Sequence, residues 1–180
     1  MKRAVFFERD GILNEFRIVG DNRRITPLTL EEFRVMTEAV PGMRKLKEAS
    51  FVLIATTNQP GLLCGYLSRR ELDRMHDVLK RTFPLDDIAV CPHDERDHCP
   101  CRRPRPGLII EVAFKWHLNL DRSFVVSNAW QDAEAARTAG CTSLLVQSPW
   151  IGQVHKDFVL PSFDAIVEKV IELDAQIPSK

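Results

Sequence analysis

The chain has no excess of charge of either sign: 25 Lys and Arg balance 25 Asp and Glu across 180 residues. No global field draws it to nucleic acid or anionic lipid, so any anion site must be built locally. No apolar run approaches the ~20 residues of a membrane span, and the Met1-Lys2-Arg3 start lacks a following signal-peptide core of adequate length. These absences lead to the expectation of a cytoplasmic protein with no membrane partner. Internal repeats, low-complexity tracts and Gly/Ser linkers are missing too, so one domain over 1–180 is expected. Cysteine is scarce and odd in number, five in all, with three crowded between Cys91 and Cys101. That argues against a disulfide framework and for metal binding.

What is present points to a folded α/β chain. Apolar residues make up 44% and charged residues 28%, a globular balance. Short β-rich runs at Ala4–Phe7, Phe51–Thr56, Ile88–Cys91, Ser123–Ser127 and Thr142–Gln147 alternate with helical patterns. Pro41–Ala49 opens on a proline suited to a first helical turn. Ser68-Arg69-Arg70-Glu71 reads as a capping box for a helix to about Thr82. Helices are also expected at Gly107–His117, at Trp130–Ala139 before the C′ residue Gly140, and at Pro161–Leu173 with Phe163, Ile166, Val167, Val170 and Ile171 buried. The alternation predicts a three-layer α/β/α sandwich around a mainly parallel sheet, with ligands beyond the carboxyl ends of the strands. Between Phe16 and Met36, Arg23-Arg24 and Thr26-Pro27 suggest a loop or hairpin flap, and Thr29–Met36 a short helix. Trp150 and Ile151 are either an exposed patch or, the preferred reading, part of the core.

Four polar constellations fall on that one rim. Glu8-Arg9-Asp10-Gly11 places two acids where an apolar strand breaks, suited to a metal and a phosphate, although such a turn is also simply solvated. Thr57-Asn58-Gln59-Pro60-Gly61 offers a hydroxyl and backbone N–H groups to a phosphoryl oxygen, or is a capped turn. Cys91-Pro92-His93 and Cys99-Pro100-Cys101 supply three thiolates and an imidazole, the donor set of a closed, structural Zn²⁺ site; His98 is the alternative nitrogen and a redox or buried cysteine cluster the alternative role. This loop, 91–103, leads into Arg102-Arg103-Pro104-Arg105-Pro106-Gly107, a local anion clamp feeding a helix N-terminus. Ser127-Asn128, with Asp132 four residues on, offers a metal ligand and a supporting acid.

Together these motifs resemble the haloacid dehalogenase (HAD) superfamily. The resemblance is to its zinc-loop branch, which contains D-glycero-D-manno-heptose-1,7-bisphosphate phosphatase and the histidinol-phosphate phosphatase domain. It runs from about Arg3 to Pro149 and rests on ERDG-ILN, TNQPG, the C-x-H…C-x-C-R-R-P-R-P-G loop and the stretch from Asp132 to Gly140. It implies a Rossmann-like HAD sheet without a large cap domain. It also implies a nucleophile at Glu8, an acid/base at Asp10, phosphoryl binding by Thr57 and a bridging cation at Arg103. Asn58, Gln59 and Arg102 would contact substrate. Zinc would sit on Cys91, His93, Cys99 and Cys101, and Mg²⁺ on Glu8, Asp10 and Asn128 with Asp132 in support.

The chain departs from that pattern where the chemistry is done. Glu8 stands where the family has aspartate, Arg103 where it has lysine, Asn128 where it has aspartate, and Ser127 where glycine usually precedes it. An added methylene displaces the attacking oxygen, Arg is a planar fork in place of a compact ammonium, and Asn withdraws a negative charge from a magnesium site. The expected function is a phosphomonoesterase of small phosphorylated metabolites with strongly reduced activity; the alternative is a non-catalytic pseudophosphatase that binds a phosphorylated ligand or a protein.

Overall fold

The computed structural model describes residues 1–20 and 23–176. Its elements in chain order are β1 (Ala4–Glu8), β2 (Arg17–Val19), β3 (Arg23–Ile25), α1 (Val40–Glu48), β4 (Val52–Asn58), α2 (Gly61–Cys64), α3 (Arg69–Thr82) and β5 (Asp87–Cys91). They continue with α4 (Gly107–Trp116), β6 (Phe124–Ser127), α5 (Trp130–Ala139), β7 (Thr142–Val146), β8 (Phe158–Leu160) and α6 (Phe163–Gln176). Six strands pair in the order β5-β4-β1-β6-β7-β8, every pair parallel. Strands buried on both faces need continuous apolar runs rather than alternation, which Ala4-Val5-Phe6-Phe7 and Val52-Leu53-Ile54-Ala55 supply, nearly all without exposure.

The period-2 pleat then sorts those side chains into two cores. Val5 and Phe7 pack with Met43 and Leu46 of α1, Leu72, Met75 and Leu79 of α3, and Ile166, Val167 and Val170 of α6. Ala4 and Phe6 face the opposite way, onto Ile109, Val112 and Ala113 of α4 and Ala135 and Ala136 of α5. The three-layer sandwich follows. Because the winding reverses at β1, the crevice beyond its carboxyl end, beside β6, is where a ligand site belongs.

Several local expectations need correction. The strand expected at Phe51–Thr56 runs to Asn58, because Thr57 and Asn58 pair with Val90 and Cys91; these two residues end the strand rather than follow it. β8 carries no signal in the sequence. The capping box at α3 is half made: Ser68 Oγ accepts from the Glu71 N–H at 3.1 Å, but the Glu71 carboxylate accepts from the Leu30 N–H at 2.9 Å. The helix expected at Thr29–Met36 is a single turn, Leu30–Glu32, which Phe33 ends in extended backbone. On α6, Ile171 faces solvent rather than the core. Trp150 is 38% exposed and does not join the core. The flap between β1 and α1 is the antiparallel pair β2–β3. No helix of the described residues is long and apolar enough to cross a membrane.

Candidate active site

All six sheet strands point the same way, so the ends of β1, β4, β5 and β6 bring the four constellations to one edge. They border a cleft of about 820 Å³ whose lining includes Asp10, Thr26, Asn58, Tyr66, Arg102 and Arg103. At its floor the β1 turn is shaped by Gly11. Its φ is +91°, and a Cβ there would lie 2.3 Å from the Phe16 ring and 2.4 Å from Asn128 Nδ2. Only glycine fits this backbone.

Asp10 is held by a cage of donors. Arg9 is fully buried and places Nε and Nη2 on Asp10 Oδ1 at 3.1 and 2.8 Å, where Asn14 Nδ2 also donates at 2.9 Å. Oδ2 accepts from Thr26 Oγ1 at 3.1 Å, Gln59 Nε2 at 3.2 Å and, more weakly, Thr57 Oγ1 at 3.4 Å. Burial pushes this carboxyl up. The charge of Arg9 and the hydrogen bonds from Asn14, Arg9 and Thr26 outweigh burial and hold it below the ordinary aspartate range. Gln59 is completely buried, its amide also donating to Thr57 Oγ1 at 2.7 Å. It therefore faces the cage and not the cleft, which corrects its expected position among the substrate contacts. Asn58 and Arg102 do line the cleft. Asn58 Nδ2 is buried without a hydrogen-bond partner among the described residues.

Glu8 sits in a second network. Its Oε2 lies 2.5 Å from Ser127 Oγ, which is also 2.6 Å from Asp132 Oδ2 and accepts from the Ala129 N–H at 3.1 Å. A hydroxyl carries one proton, so with both carboxylates ionised one of these short contacts would have no hydrogen in it. A proton on one acid completes the chain. Consistent with this, burial, opposed by Arg103 and reinforced by the charge of Asp132, pushes the Glu8 carboxyl up to about 7. Arg103 forms ion pairs with both Glu8 and Asp132. Burial works against its charge, but those two acids raise its proton affinity further.

The flap adds a cation that the motifs did not reveal. Arg24 of β3 stacks between Phe16 and Trp150, with its guanidinium carbon 4.3 and 3.7 Å from the two ring centroids. Its Nη1 donates to Asn128 Oδ1 at 3.1 Å, while Asn128 Nδ2 donates to the Gly11 carbonyl at 3.1 Å. The sequence places Arg24 and Thr26 in a loop or hairpin flap beside the site without assigning either a role, and it gives Arg9 and Asn14 no functional part. The one available signal was Arg9 itself, a cation wedged between two acids at the end of an apolar strand.

In the 91–103 loop, Cys91, His93, Cys99 and Cys101 bring their ligand atoms within 4.8 Å of one another. Cys91 Sγ lies 3.8 Å from Cys99 Sγ and 3.8 Å from His93 Nδ1. Cys101 Sγ lies closer, 3.2 Å from Cys91 Sγ, 3.5 Å from Cys99 Sγ and 3.3 Å from His93 Nδ1. A tetrahedron of ~2.3 Å zinc–sulfur bonds has edges of about 3.8 Å, so the four donors could close on one tetrahedral metal with a small outward shift of Cys101. His98, with φ +47°, is exposed outside the cluster. Burial, then the neighbouring thiols, pushes Cys101 far above its ordinary range; a bound dication reverses that sign. The loop is stapled to α4, since Gly107 N donates to the Pro100 carbonyl at 2.9 Å and a Cβ on Gly107 would stand 2.4 Å from that oxygen.

The donors at the β1 turn fit Mg²⁺ poorly by the same test. Asn128 is neutral and its side-chain oxygen already accepts from Arg24. The Asp10 carboxylate is spent in its cage, which leaves its main-chain carbonyl as the ligand Asp10 could offer. Glu8 Oε1 accepts no hydrogen bond, yet it is ion-paired to Arg103. Three acids, Glu8, Asp10 and Asp132, face three guanidiniums, Arg9, Arg24 and Arg103, before any dication is added. A hard cation prefers carboxylates and water to such a set.

No family model matches the chain. It is 31% identical over 150 residues to D-glycero-beta-D-manno-heptose-1,7-bisphosphate 7-phosphatase of Rhodopseudomonas palustris, covering 76% of this chain and 79% of the relative. It is 28% identical over 151 residues to the enzyme of the same name from Bordetella bronchiseptica, covering 81% of each. The crystal structure of D,D-heptose 1,7-bisphosphate phosphatase from B. bronchiseptica, complexed with magnesium and phosphate, superposes with a TM-score of 0.80 at 26% identity, over 96% of this chain and 99% of that one. A HAD-like phosphatase from Mesorhizobium loti shares the fold at a TM-score of 0.72 and 22% identity. With the rim, the cysteine–histidine loop and these relatives in agreement, the chain belongs to the D-glycero-β-D-manno-heptose-1,7-bisphosphate 7-phosphatase family of the HAD superfamily.

Proposed function

We propose that this chain binds a small phosphorylated sugar in the cleft and cleaves its phosphomonoester only slowly, with a structural zinc holding the 91–103 loop. The observation that carries the reading is the state of Glu8. Both of its oxygens are engaged, one against Arg103 and one against Ser127, and its proton affinity is raised into the neutral range. A nucleophile must leave those contacts, ionised, to attack phosphorus.

In the full reaction Glu8 Oε1 bonds to phosphorus as the bond to the sugar oxygen breaks, and that oxygen takes a proton from Asp10. Water then hydrolyses the acyl phosphate, with Asp10 accepting its proton. Thr57, Asn58, Arg102 and Arg103 orient the phosphoryl group and sugar. The Asp10 cage opposes the first proton transfer, because a carboxyl held below its ordinary range is seldom protonated near pH 7. Glu8 also carries one methylene more than aspartate, and a misplacement of about 1 Å can lower the rate about 10²-fold.

A second reading, ligand binding without turnover, draws on the neutral Asn128 and the occupied Glu8. Phosphate release from a panel of sugar phosphates, heptose bisphosphates included, separates the two. Slow turnover by the natural chain, rising about 10²-fold or more in Glu8→Asp/Arg103→Lys/Asn128→Asp with Mg²⁺, is the expected result. Robust turnover by the unmodified chain would refute the reading, and none at all in either protein would favour binding alone.

A further inference from the structure

The disagreement between this donor set and a divalent ion has a specific cause in the flap. We propose that the Arg24 guanidinium, clasped between Phe16 and Trp150 and bonded to Asn128 Oδ1, takes the place of the divalent cation, so that the site binds a phosphoryl group without Mg²⁺. The inference rests on the cleft being a phosphate site.

Three observations converge on it. First, Arg24 donates to Asn128 through the oxygen that a metal would need. An amide oxygen that accepts one hydrogen bond from a guanidinium is matched to it; a carboxylate there would form a full ion pair and retain affinity for metal. Second, the guanidinium is held from both sides, 4.3 Å from the Phe16 centroid and 3.7 Å from that of Trp150. Stacking of this kind is attractive and fixes the plane of the fork, so little entropy is lost when it meets an anion. It also accounts for a large aromatic left 38% exposed at position 150. Third, no dication is needed to offset the acids: three guanidiniums face Glu8, Asp10 and Asp132, and one acid of the Ser127 chain is protonated. Arg9 answers Asp10 and Arg103 answers Glu8 and Asp132, while Arg24 faces a neutral amide. Among these three guanidiniums it is the one in no salt bridge, though it lies in the field of Glu8 and Asp132, and its neighbours Arg23, Ile25 and Thr26 line the cleft. Its remaining N–H donors make no hydrogen bond to the described residues.

The geometry also makes the flap part of the site. Ile18 pairs with Arg24 across the β2–β3 ladder, and Thr26, just past β3, donates to Asp10. One short hairpin thus brings both a cation and a support for the second acid.

The test uses zinc-loaded protein in buffer freed of other divalent ions, with orthophosphate as the probe in calorimetry and Mn²⁺ in paramagnetic resonance. For the natural chain, the phosphate affinity should change by less than about twofold when millimolar Mg²⁺ is added. Added Mn²⁺ should keep the spectrum of the free aquo ion. Arg24→Ala should weaken phosphate binding about 10- to 100-fold, the worth of one charge-assisted contact, with Arg24→Lys intermediate because an ammonium cannot stack as a fork. Arg24→Ala/Asn128→Asp should bind Mn²⁺ and regain phosphate affinity only with Mg²⁺. Tight Mn²⁺ binding by the natural chain that Asn128→Ala abolishes, or phosphate binding that needs Mg²⁺, would overturn the inference alone. Absence of phosphate binding in every protein and condition would overturn the phosphate-site reading, and the inference with it.

Discussion

Removing the Arg9 charge while keeping its length tests how the β1 turn is held. Arg9 has no exposure, and its guanidinium meets Asp10 Oδ1 through Nε and Nη2, Thr26 Oγ1 through Nη2 at 2.8 Å and His76 Nε2 through Nη1 at 3.3 Å. Arg9→Met fills most of the stem volume and leaves Asp10 as a buried carboxylate without a cation. Breaking one side of such a pair costs about 3–5 kcal/mol. The neutral donors from Asn14, Thr26 and Gln59 remain, which places the loss near the low end, about 3 kcal/mol. With a urea slope of about 2 kcal/mol/M, the unfolding midpoint of the zinc-loaded protein should fall by about 1.5 M. Adding Asp10→Asn removes the stranded charge, and the double variant should recover most of the loss, since replacing a whole buried pair is often close to neutral. A midpoint within about 0.25 M of the natural chain for Arg9→Met, or a double variant no more stable than the single, would show that the pair does not anchor the turn.

Three further outcomes follow from the same structure. His76 is buried and held neutral by burial, then by the charges of Arg9 and Lys80, with its pKa lowered to about 3 from 6.5. The unfolded chain therefore takes the proton first. This contribution to stability is complete above about pH 6.5 and drains away as pH falls toward 3, by up to about 5 kcal/mol. In His76→Gln the fall in unfolding free energy between pH 6.5 and 4 should be shallower, and identical slopes would count against the assignment. Metal analysis should find one zinc per chain, and stripping it, or Cys99→Ser, should lower the thermal midpoint by at least about 10 °C, as expected when several kcal/mol of ligation is lost; unchanged melting in chelator would remove zinc from the account. Gly11→Ala, with φ +91° and a Cβ 2.3 Å from the Phe16 ring, should cost at least about 1–3 kcal/mol in denaturant unfolding, and a neutral result would mean that the turn relaxes freely.

The parallel sheet was legible because each central strand is an apolar run buried on both faces, and the rim followed from where those runs stop. The cysteine–histidine loop was legible because ligand spacing is local. β8 was not: three residues after a long loop carry no period, and their pairing with β7 is a tertiary event. Thr57 and Asn58 look like a turn because Asn and Pro60 are turn formers, yet Cys91 draws Asn58 into the ladder. Charged residues are taken as surface by default, which concealed Arg9 in the core and left Arg24, on the expected loop or flap, without a role. Gln59 presents the reverse case, a polar residue in a motif whose side chain is spent inside the protein. Ile171 kept helical spacing with the buried residues of α6 but falls at the edge of that stripe, where solvent reaches it.

Of the four residues at which the chain departs from the pattern it resembles, Glu8, Arg103 and Ser127 share one network through Asp132, and Asn128 belongs to a second with Arg24. Ser127 Oγ joins Glu8 to Asp132, Arg103 pairs with the same two acids, and Asn128 receives Arg24 while its amide fixes the Gly11 carbonyl. Glycine at 127 would leave Glu8 and Asp132 without their shared hydroxyl. Aspartate at 8, one methylene shorter, would draw its oxygen back from both Ser127 and Arg103. Lysine at 103 would offer an ammonium in place of a planar fork. An aspartate at 128 would set a carboxylate against Arg24 and tighten the flap onto the site. Reversal at 8, 103 or 127 therefore disturbs contacts that the other two share through Asp132, and coupled networks of this kind are strongly non-additive, while Asn128 couples to Arg24 and the Gly11 carbonyl instead. A site that had merely decayed would show independent losses, with each reversal neutral or beneficial by itself. Under the proposed function, such coupling among Glu8, Ser127, Asp132 and Arg103 is what a site that holds a phosphoryl group and transfers it slowly would show, and single reversals with independent, additive effects on turnover would count against it.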